Sequence, residues 1–306
     1  MTTPRLSVDG LTVRFRLRTA VVHAVTDLSL TVQPGELLAV VGESGCGKSV
    51  LAHTLLGLLP RNATVSGRAV LDEDTSLLTG RLTGVRGRRV GLVPQSPATA
   101  LNPVRTGRRL LEETLRAHGR PRTDADRVAA DVGFDPIDLD RYPHELSGGM
   151  AQRLCTALAL APEPPLLIAD EPTTGLDRPL VDHTLDLLRR RCDAGNTVIL
   201  ITHDLTAAQR VADRVAVMYA SRIVEDQPTN ALFATPAHPY TAGLLDALPD
   251  RGFRAVPGHP PMLTALPAGC AFAPRCTRAN DACATMPNLS GPARCHHPLI
   301  EQEVAA

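Results

Sequence analysis

The chain has 306 residues, 43% of them hydrophobic and 21% charged, and its 32 basic and 32 acidic residues cancel to a formal net charge of zero. That length allows one large domain with an extension, or two small ones, with the composition of an ordinary soluble globular protein. The charge balance removes the electrostatic argument for a dedicated nucleic-acid binder, and no apolar run reaches the length needed to span a bilayer.

The N-terminal MTTPRLSVDG lacks the apolar core of a signal peptide, so a cytosolic chain is expected. LSVDGLTVRFRL and DLSLTV alternate apolar and polar residues and read as strands. PGE (34–36) then turns into LLAVV, a run of buried-strand length. GESGCGKS follows, and SVLAHTLLGLL after it carries apolar residues at helical spacing.

Gly42-Glu43-Ser44-Gly45-Cys46-Gly47-Lys48-Ser49 fits G-x-x-x-x-G-K-[ST], a phosphate-binding loop, and Val50 continues it into the helix. Glycines let the backbone curl so that successive N–H groups point at phosphate oxygens. The helix that follows turns its positive dipole end to the same anion. Lys48 is expected at the β- and γ-phosphates, and the Ser49 hydroxyl on Mg²⁺. Of the 32 basic residues, 31 are Arg and only Lys48 is Lys. A GC-rich genome explains the bias but not its exception. Lys is a compact point charge where Arg is a broad fork, so a site that keeps its Lys needs the compact form.

GRRVGLVP reads as a strand that delivers Gln95 at its exit, where an amide reaches Mg²⁺ or water. Residues from about 96 to 160 are mainly helical and broken by Pro97, Pro103, Pro121, Pro136 and Pro143. Within them LSGGMAQR opens a helix on a glycine pair, Gly148 and Gly149, preceded by Ser147. Such a helix start is a second phosphate-binding nest. One phosphate loop and one further nest in a single chain suit a head-to-tail dimer. There Ser147, Gly148, Gly149 and Gln152 of one subunit face the ATP held by the other.

PLLIAD (165–170) is a buried strand ending in Asp170, with Glu171 next. Asp170 is expected to hold Mg²⁺ directly or through water, and Glu171 to polarise the attacking water as general base. A helix is expected over 179–192. TVILIT (197–202) is a second buried strand, and His203 closes it as Asp170 closes the first. Its place suits sensing the γ-phosphate and the water. A helix near 205–212 and a hairpin over 214–225 follow. Short apolar strands alternating with helices imply a mainly parallel sheet covered by helices. The sequence carries no internal repeat.

These motifs, in order, resemble the ATP-binding subunits of ABC transporters: GESGCGKS, Gln95, LSGGMAQR, LLIADEP, the Gly175-Leu176-Asp177 loop and His203. The resemblance covers about residues 5–245. It implies an α/β P-loop ATPase with a mixed or parallel sheet core, an N-terminal antiparallel β subdomain and a helical subdomain over about 96–160 that touches membrane subunits. Gln95 would couple that contact to the nucleotide, and Asp177 would communicate across the dimer. Phe15, the only aromatic residue before the phosphate loop, is the candidate to stack on adenine. Glu171, His203 and Gln95 form the expected catalytic set. Ser49, Gln95 and Asp170 form the expected Mg²⁺ set.

LNPV (101–104), YPHELSGGM (142–150), ADRVAVMYASRIVE (212–225) and PAHPYTAGLLDALP (236–249) are further similar to the ATPases of dipeptide and oligopeptide importers, a group that includes nickel uptake systems. That implies uptake of peptides, or of nickel or another small solute. It also implies a homologous partner ATPase in a heterodimer, two transmembrane permease subunits and an extracytoplasmic binding protein, with the chain on the cytoplasmic face of the membrane. A soluble ABC ATPase acting on no membrane fits less well, because the chain has one cassette, no heptads and the HPYT extension. Ser96 in place of the family's usual Asp, Ala151 in place of Arg, Gly175 in place of Ala and Arg178 in place of Val depart from the pattern and remove no catalytic group.

The reading divides the chain into a nucleotide-binding domain, 1–245, and a small Cys-rich C-terminal extension, 246–306. Cys270, Cys276, Cys283 and Cys295 are spaced C-x5-C-x6-C-x11-C, without the C-x2-C pairs of a zinc ribbon. In the reducing cytosol, clustered thiols favour metal over disulfide. The spacing leaves open a [4Fe–4S] cluster, zinc, free thiols or a disulfide. The tail resembles one that in this importer family holds a [4Fe–4S] cluster.

Overall fold

The structure is a computed structural model and describes residues 3–79, 82–289 and 291–300. β1 (Leu6–Arg16) and β2 (Val21–Val32) form the expected antiparallel pair, and β3 (Leu37–Val41) is the LLAVV run. α1 (Lys48–Leu55) follows the phosphate loop and ends a turn short of SVLAHTLLGLL. β4 (Ala63–Leu71) and β5 (Thr75–Ser76) complete a four-stranded sheet ordered β2-β1-β4-β5. β4 was not singled out in the sequence, because it is largely exposed until its last three residues and lacks a clean alternation.

β6 (Val90–Val93) leads into α2 (Pro97–Ala100), α3 (Gly107–Ala117), α4 (Ala125–Asp131) and α5 (Gly148–Leu160). Then come β7 (Leu166–Asp170), α6 (Arg178–Asp193), β8 (Thr197–Thr202) and α7 (Leu205–Val211). β9 (Arg214–Tyr219) and β10 (Arg222–Pro228) are the expected hairpin. α8 (Thr229–Ala234) and α9 (Pro239–Asp246) close the regular part. The second sheet is ordered β10-β9-β3-β8-β7-β6, parallel from β9 to β6 with β10 antiparallel at its edge.

Both faces of this sheet are covered, which is why β3, β7 and β8 read as unbroken apolar runs. Successive side chains point to opposite faces. Leu38 and Val40 join a core with the antiparallel sheet and α1, whereas Leu37, Val198 and Leu200 join a core with the helices of 96–160 and α6. A third core combines Val41, Tyr219, Tyr240, Leu245 and Phe272. It therefore holds residues from both sides of the expected 245/246 division.

The tail is anchored at several points. Asp226 N–H donates to the Pro292 carbonyl at 2.9 Å and Arg294 N–H to the Val224 carbonyl at 2.8 Å, beside a bridge from Glu225 to Ala293. The Glu225 carboxylate is fully buried and accepts from the backbone of Ala237 at 2.8 Å and of His238 at 2.7 Å, and from Gln227 at 2.6 Å. His238 caps α9, its Nδ1 accepting from Tyr240 N–H at 3.0 Å.

Burial lowers the His238 pKa from 6.5 to about 4. Between those values the unfolded chain binds a proton that the native chain does not, so stability rises with pH across this window. The loss on acidification reaches about 3 kcal/mol at its full extent. His238→Asn keeps a capping side chain. It is expected to flatten the stability profile between pH 6.5 and 4, as read by chemical denaturation at fixed ionic strength.

Candidate functional site

The phosphate loop runs from the end of β3 to α1. Gly42 has φ 151°, and a Cβ there would fall 2.1 Å from the Met218 carbonyl oxygen; Gly47 has φ 111°, and a Cβ would fall 2.0 Å from that of Ala24. Both positions require glycine on conformation and on space. Lys48 is only 6% exposed. Its Nζ donates to the Gly42 carbonyl at 2.7 Å and to the Glu43 carbonyl at 3.2 Å, and lies 3.9 Å from Cys46 Sγ. Ser44 and Gly45 form the loop's tip, and Val50 packs against the first core. Cys46 is buried and its thiol pKa is raised by that burial.

β3, β8 and β7 lie side by side, with Val41 level with Thr202 and Ile201 level with Asp170. Their carboxyl ends therefore deliver the loop, His203 and the two carboxylates to one edge. That edge is where ligands of open parallel sheets bind. Ser49 Oγ donates to Asp170 Oδ1 at 3.1 Å. Burial raises the Asp170 pKa, while the Ser49 hydrogen bond opposes the shift. Glu171 is 7% exposed and adopts φ 50°, a left-handed conformation that is strained for this residue type. Its N–H donates to the Ile201 carbonyl at 2.9 Å, which ties it to β8. His203 Nδ1 stands 2.9 Å from Glu171 Oε1 and 2.8 Å from Oε2, with the ring itself largely exposed. An ionised carboxylate only accepts, so Nδ1 is then the donor.

A hydroxyl beside a carboxylate presents hard oxygen donors, the pair on which Mg²⁺ sits when substrate phosphates supply further ligands. Ser49 and Asp170 fit that ion. The edge as a whole can bind a polyphosphate and position water beside a carboxylate.

Of the other expected residues, Gln95 leaves the same carboxyl edge, since β6 pairs with β7 and Val93 is level with Ala169, while the rest fall elsewhere. Ser147 caps α5, its Oγ accepting from Met150 N–H at 3.2 Å, and is exposed at the helix start. An added Cβ on Gly149 would lie 3.3 Å from Leu176 Cδ2, so this turn and the Gly175-Leu176-Asp177 loop are neighbours; at Gly148 a Cβ would meet nothing within 4 Å. Asp177 is exposed and caps α6, accepting from Leu180 N–H at 3.2 Å. Gln95 is exposed just beyond β6. Phe15 is half-buried on β1, paired with Val22 and Ala63 and packed against the first core.

Gln152 requires a correction. It was expected to face a partner's nucleotide, yet it is 2% exposed and its Nε2 donates to the Pro94 carbonyl at 3.3 Å. It lies one turn in from the exposed helix start, where α5 is buried on several sides. It ties the LSGGMAQR helix to the segment that carries Gln95.

The tail thiols share one neighbourhood. Burial raises the Cys295 pKa, and the charges of Cys270, Cys276 and Cys283 add to the shift. Cys276 Sγ accepts from Arg278 N–H at 3.4 Å, and Cys295 Sγ from His297 N–H at 3.3 Å. Yet among the described residues no three His, Cys, Asp or Glu side chains are placed to hold a metal ion. The arrangement does not support the expected [4Fe–4S] cluster or zinc.

Sequence reasoning missed two groups at the site. Arg275 pairs with Glu43 of the phosphate loop, and the Tyr240 hydroxyl accepts from Glu43 N–H at 3.1 Å. Arg275 is one of 31 arginines, and nothing in its surroundings marks it except Cys276 beside it.

Two family profiles match the chain: ABC transporter over residues 25–174, and oligopeptide/dipeptide transporter, C-terminal region, over residues 224–283. A peptide import ATP-binding protein of Brucella melitensis biotype 1 is 39% identical over 340 residues, covering 99% of each chain. A second from the same organism is 42% identical over 299 residues, covering 92% of this chain and 90% of that one. Among solved structures, a dimeric post-hydrolysis state of the ATP-binding cassette MJ0796 bound to ADP and Pi superposes with a TM-score of 0.68 at 25% identity, covering 73% of this chain and 98% of that one. Among the described residues no helix is long and apolar enough to cross a membrane.

Proposed function

The chain belongs to the ATP-binding subunits of ABC transporters, and from that premise we propose that it is the ATPase of an importer for di- and oligopeptides. One observation carries the reading: the phosphate loop, Asp170, Glu171 and His203 meet at one sheet edge in a chain whose C-terminal region matches the oligopeptide/dipeptide transporters.

The proposed chemistry is transfer of the γ-phosphoryl group of ATP to water, driven by positioning and charge stabilisation. Lys48 and the loop's N–H groups bind the phosphates. Ser49 and Asp170, with Gln95, would hold Mg²⁺, which would supply neutralisation of phosphate charge. Glu171 accepts the proton of the attacking water, and His203 fixes the carboxylate through its Nδ1 bond of 2.8–2.9 Å. Bond formation from water oxygen to phosphorus is matched by cleavage to the ADP oxygen.

Ser147, Gly148 and Gly149 act on the ATP of a second, homologous ATPase in a heterodimer. Asp177 lies beside them and links the two sites, and Phe15 stacks on adenine. Residues 96–160 dock on two permease subunits at the cytoplasmic face, and an extracytoplasmic binding protein delivers the peptide. The division at 245/246 separates the cassette from the tail as sequence units. A [4Fe–4S] cluster on the tail is carried by its resemblance alone, and no step runs through it. Bound iron and sulfide in anaerobically purified protein would support it, and a folded, metal-free chain would remove it.

Gly148→Asp tests the two-sided site. A Cβ at this exposed position meets nothing within 4 Å in the subunit. The new carboxylate should repel the partner's ATP phosphates, so ATP-driven association with the partner ATPase is expected to disappear in sedimentation velocity. Nucleotide affinity of the single subunit should stay unchanged. Association at wild-type strength would contradict the head-to-tail arrangement.

A further inference from the structure

The strongest contact outside the expected site joins the far C-terminal tail to the phosphate loop. Arg275 follows Phe272 in a short 3₁₀ turn, Ala273–Arg275, and its side chain is 5% exposed. Every N–H donor of its guanidinium has an acceptor. Nη2 reaches Glu43 Oε1 at 3.0 Å and the Val256 carbonyl at 3.4 Å. Nη1 reaches Glu43 Oε2 at 3.1 Å and the Tyr219 hydroxyl at 3.2 Å. Nε reaches the Pro257 carbonyl at 2.7 Å. The guanidinium carbon also lies 5.7 Å from the Tyr219 ring centre and 5.8 Å from that of Phe272.

This is a two-pronged Arg–carboxylate pair, the geometry in which such pairs are strongest and most directional. Its rigidity comes from the third core, where Phe272 packs edge on face with Tyr219 and Tyr240 at 5.4–5.5 Å between centres and the two tyrosines lie tilted at 4.4 Å. Glu43 is thus held at both ends, by Arg275 on its carboxylate and by the Tyr240 hydroxyl on its N–H. Its carbonyl in turn is one of the two that receive the Lys48 ammonium. The path from tail to phosphate-binding charge is Arg275, Glu43, Lys48, with hydrogen-bond distances at each step.

We propose that Arg275 is a positioning residue for ATP: it sets the phosphate loop, and through Glu43 the seat of Lys48, from the C-terminal tail. The inference rests on the ATPase reading above. Without Arg275 the Glu43 carboxylate stays in the loop with no other ion pair among the described residues, adding uncompensated negative charge next to a polyphosphate site. The tail is then a working part of the nucleotide site as well as a packed appendage.

The test uses the full chain, titrated with mant-ATP and Mg²⁺ well below the melting temperature, with melting curves recorded without nucleotide. Arg275→Ala is expected to weaken binding roughly tenfold, and Arg275→Lys, which keeps the charge but not the fork, by less. Glu43→Ala should also weaken it, but by less than Arg275→Ala, because it breaks the link without leaving an unpaired carboxylate beside the phosphates. The double variant Glu43→Ala/Arg275→Ala should be no worse than either single one, because both remove the same link. A purely structural role would lower the melting temperature of Arg275→Ala and leave its affinity alone, and that result would overturn the proposal. If Arg275→Ala does not fold, Glu43→Ala decides: wild-type affinity there overturns it equally. Lys48→Ala runs alongside. Binding that Lys48→Ala does not impair would overturn the ATPase reading itself, whereas binding lost in Lys48→Ala but kept in Arg275→Ala and Glu43→Ala overturns only the role of Arg275.

Discussion

Glu171→Gln is expected to lower ATP turnover by roughly 10²–10⁴-fold, the range that a positioned general base contributes. The amide keeps the size and most hydrogen bonds of the carboxylate but cannot take a proton from water. Mg²⁺–ATP affinity should be unchanged, because Lys48 and Ser49 lie on another strand's loop and do not bond to Glu171. The backbone argues the same way. Glu171 is held in a left-handed conformation by its bond to Ile201, and its carboxylate is fixed against His203. A strained, buried carboxylate paired to an exposed imidazole suits a reacting group better than a packing residue. Rapid-quench measurement of phosphate release, with parallel equilibrium binding, checks both halves. Turnover within a few-fold of wild type would move the base elsewhere.

Lys48→Ala should weaken Mg²⁺–ATP binding by roughly 10–100-fold, since a hydrogen bond to a charged partner is worth about 1.5–3 kcal/mol. Lys48→Arg should not restore it. The ammonium sits 6% exposed between two carbonyl oxygens, 2.7 and 3.2 Å away, in a loop whose glycines at 42 and 47 touch backbone. A guanidinium fork is broader than the ammonium that these two carbonyls hold, which gives a physical reason for the one lysine among 32 basic residues. Equilibrium titration with a fluorescent ATP analogue measures the loss, and a near-normal Lys48→Arg variant would refute the steric argument.

Local patterns carried much of the fold. β3, β7 and β8 were legible because strands buried on both faces leave unbroken apolar runs, and the hairpin of β9 and β10 because two short stretches carrying β-branched residues, RVAVMY and RIV, flank its turn. Motif spacing also led to residues that the fold gathers at one edge: Ser49 to Asp170 spans 121 positions, yet the two bond at 3.1 Å. What stayed hidden depended on the far neighbour. β4 shows mostly exposed side chains, so its place between β1 and β5 is set by pairing. Gln152 looked like its surface neighbours Ser147 and Gly148 until the packing around α5 enclosed it. Arg275 meets Glu43 across 232 positions, and no local pattern encodes such a meeting. The cysteines show the converse: their spacing drew attention to a metal, while the neighbouring arginine makes the contact with the site.

The most direct test is ATP hydrolysis in proteoliposomes that contain the chain, its partner ATPase and its permease subunits, with the binding protein and an oligopeptide added. Hydrolysis should rise when loaded binding protein is supplied, and Glu171→Gln should abolish the rise while the complex stays assembled. Hydrolysis indifferent to peptide, or a peptide-stimulated rate that survives Glu171→Gln, would contradict a peptide importer driven from this sheet edge.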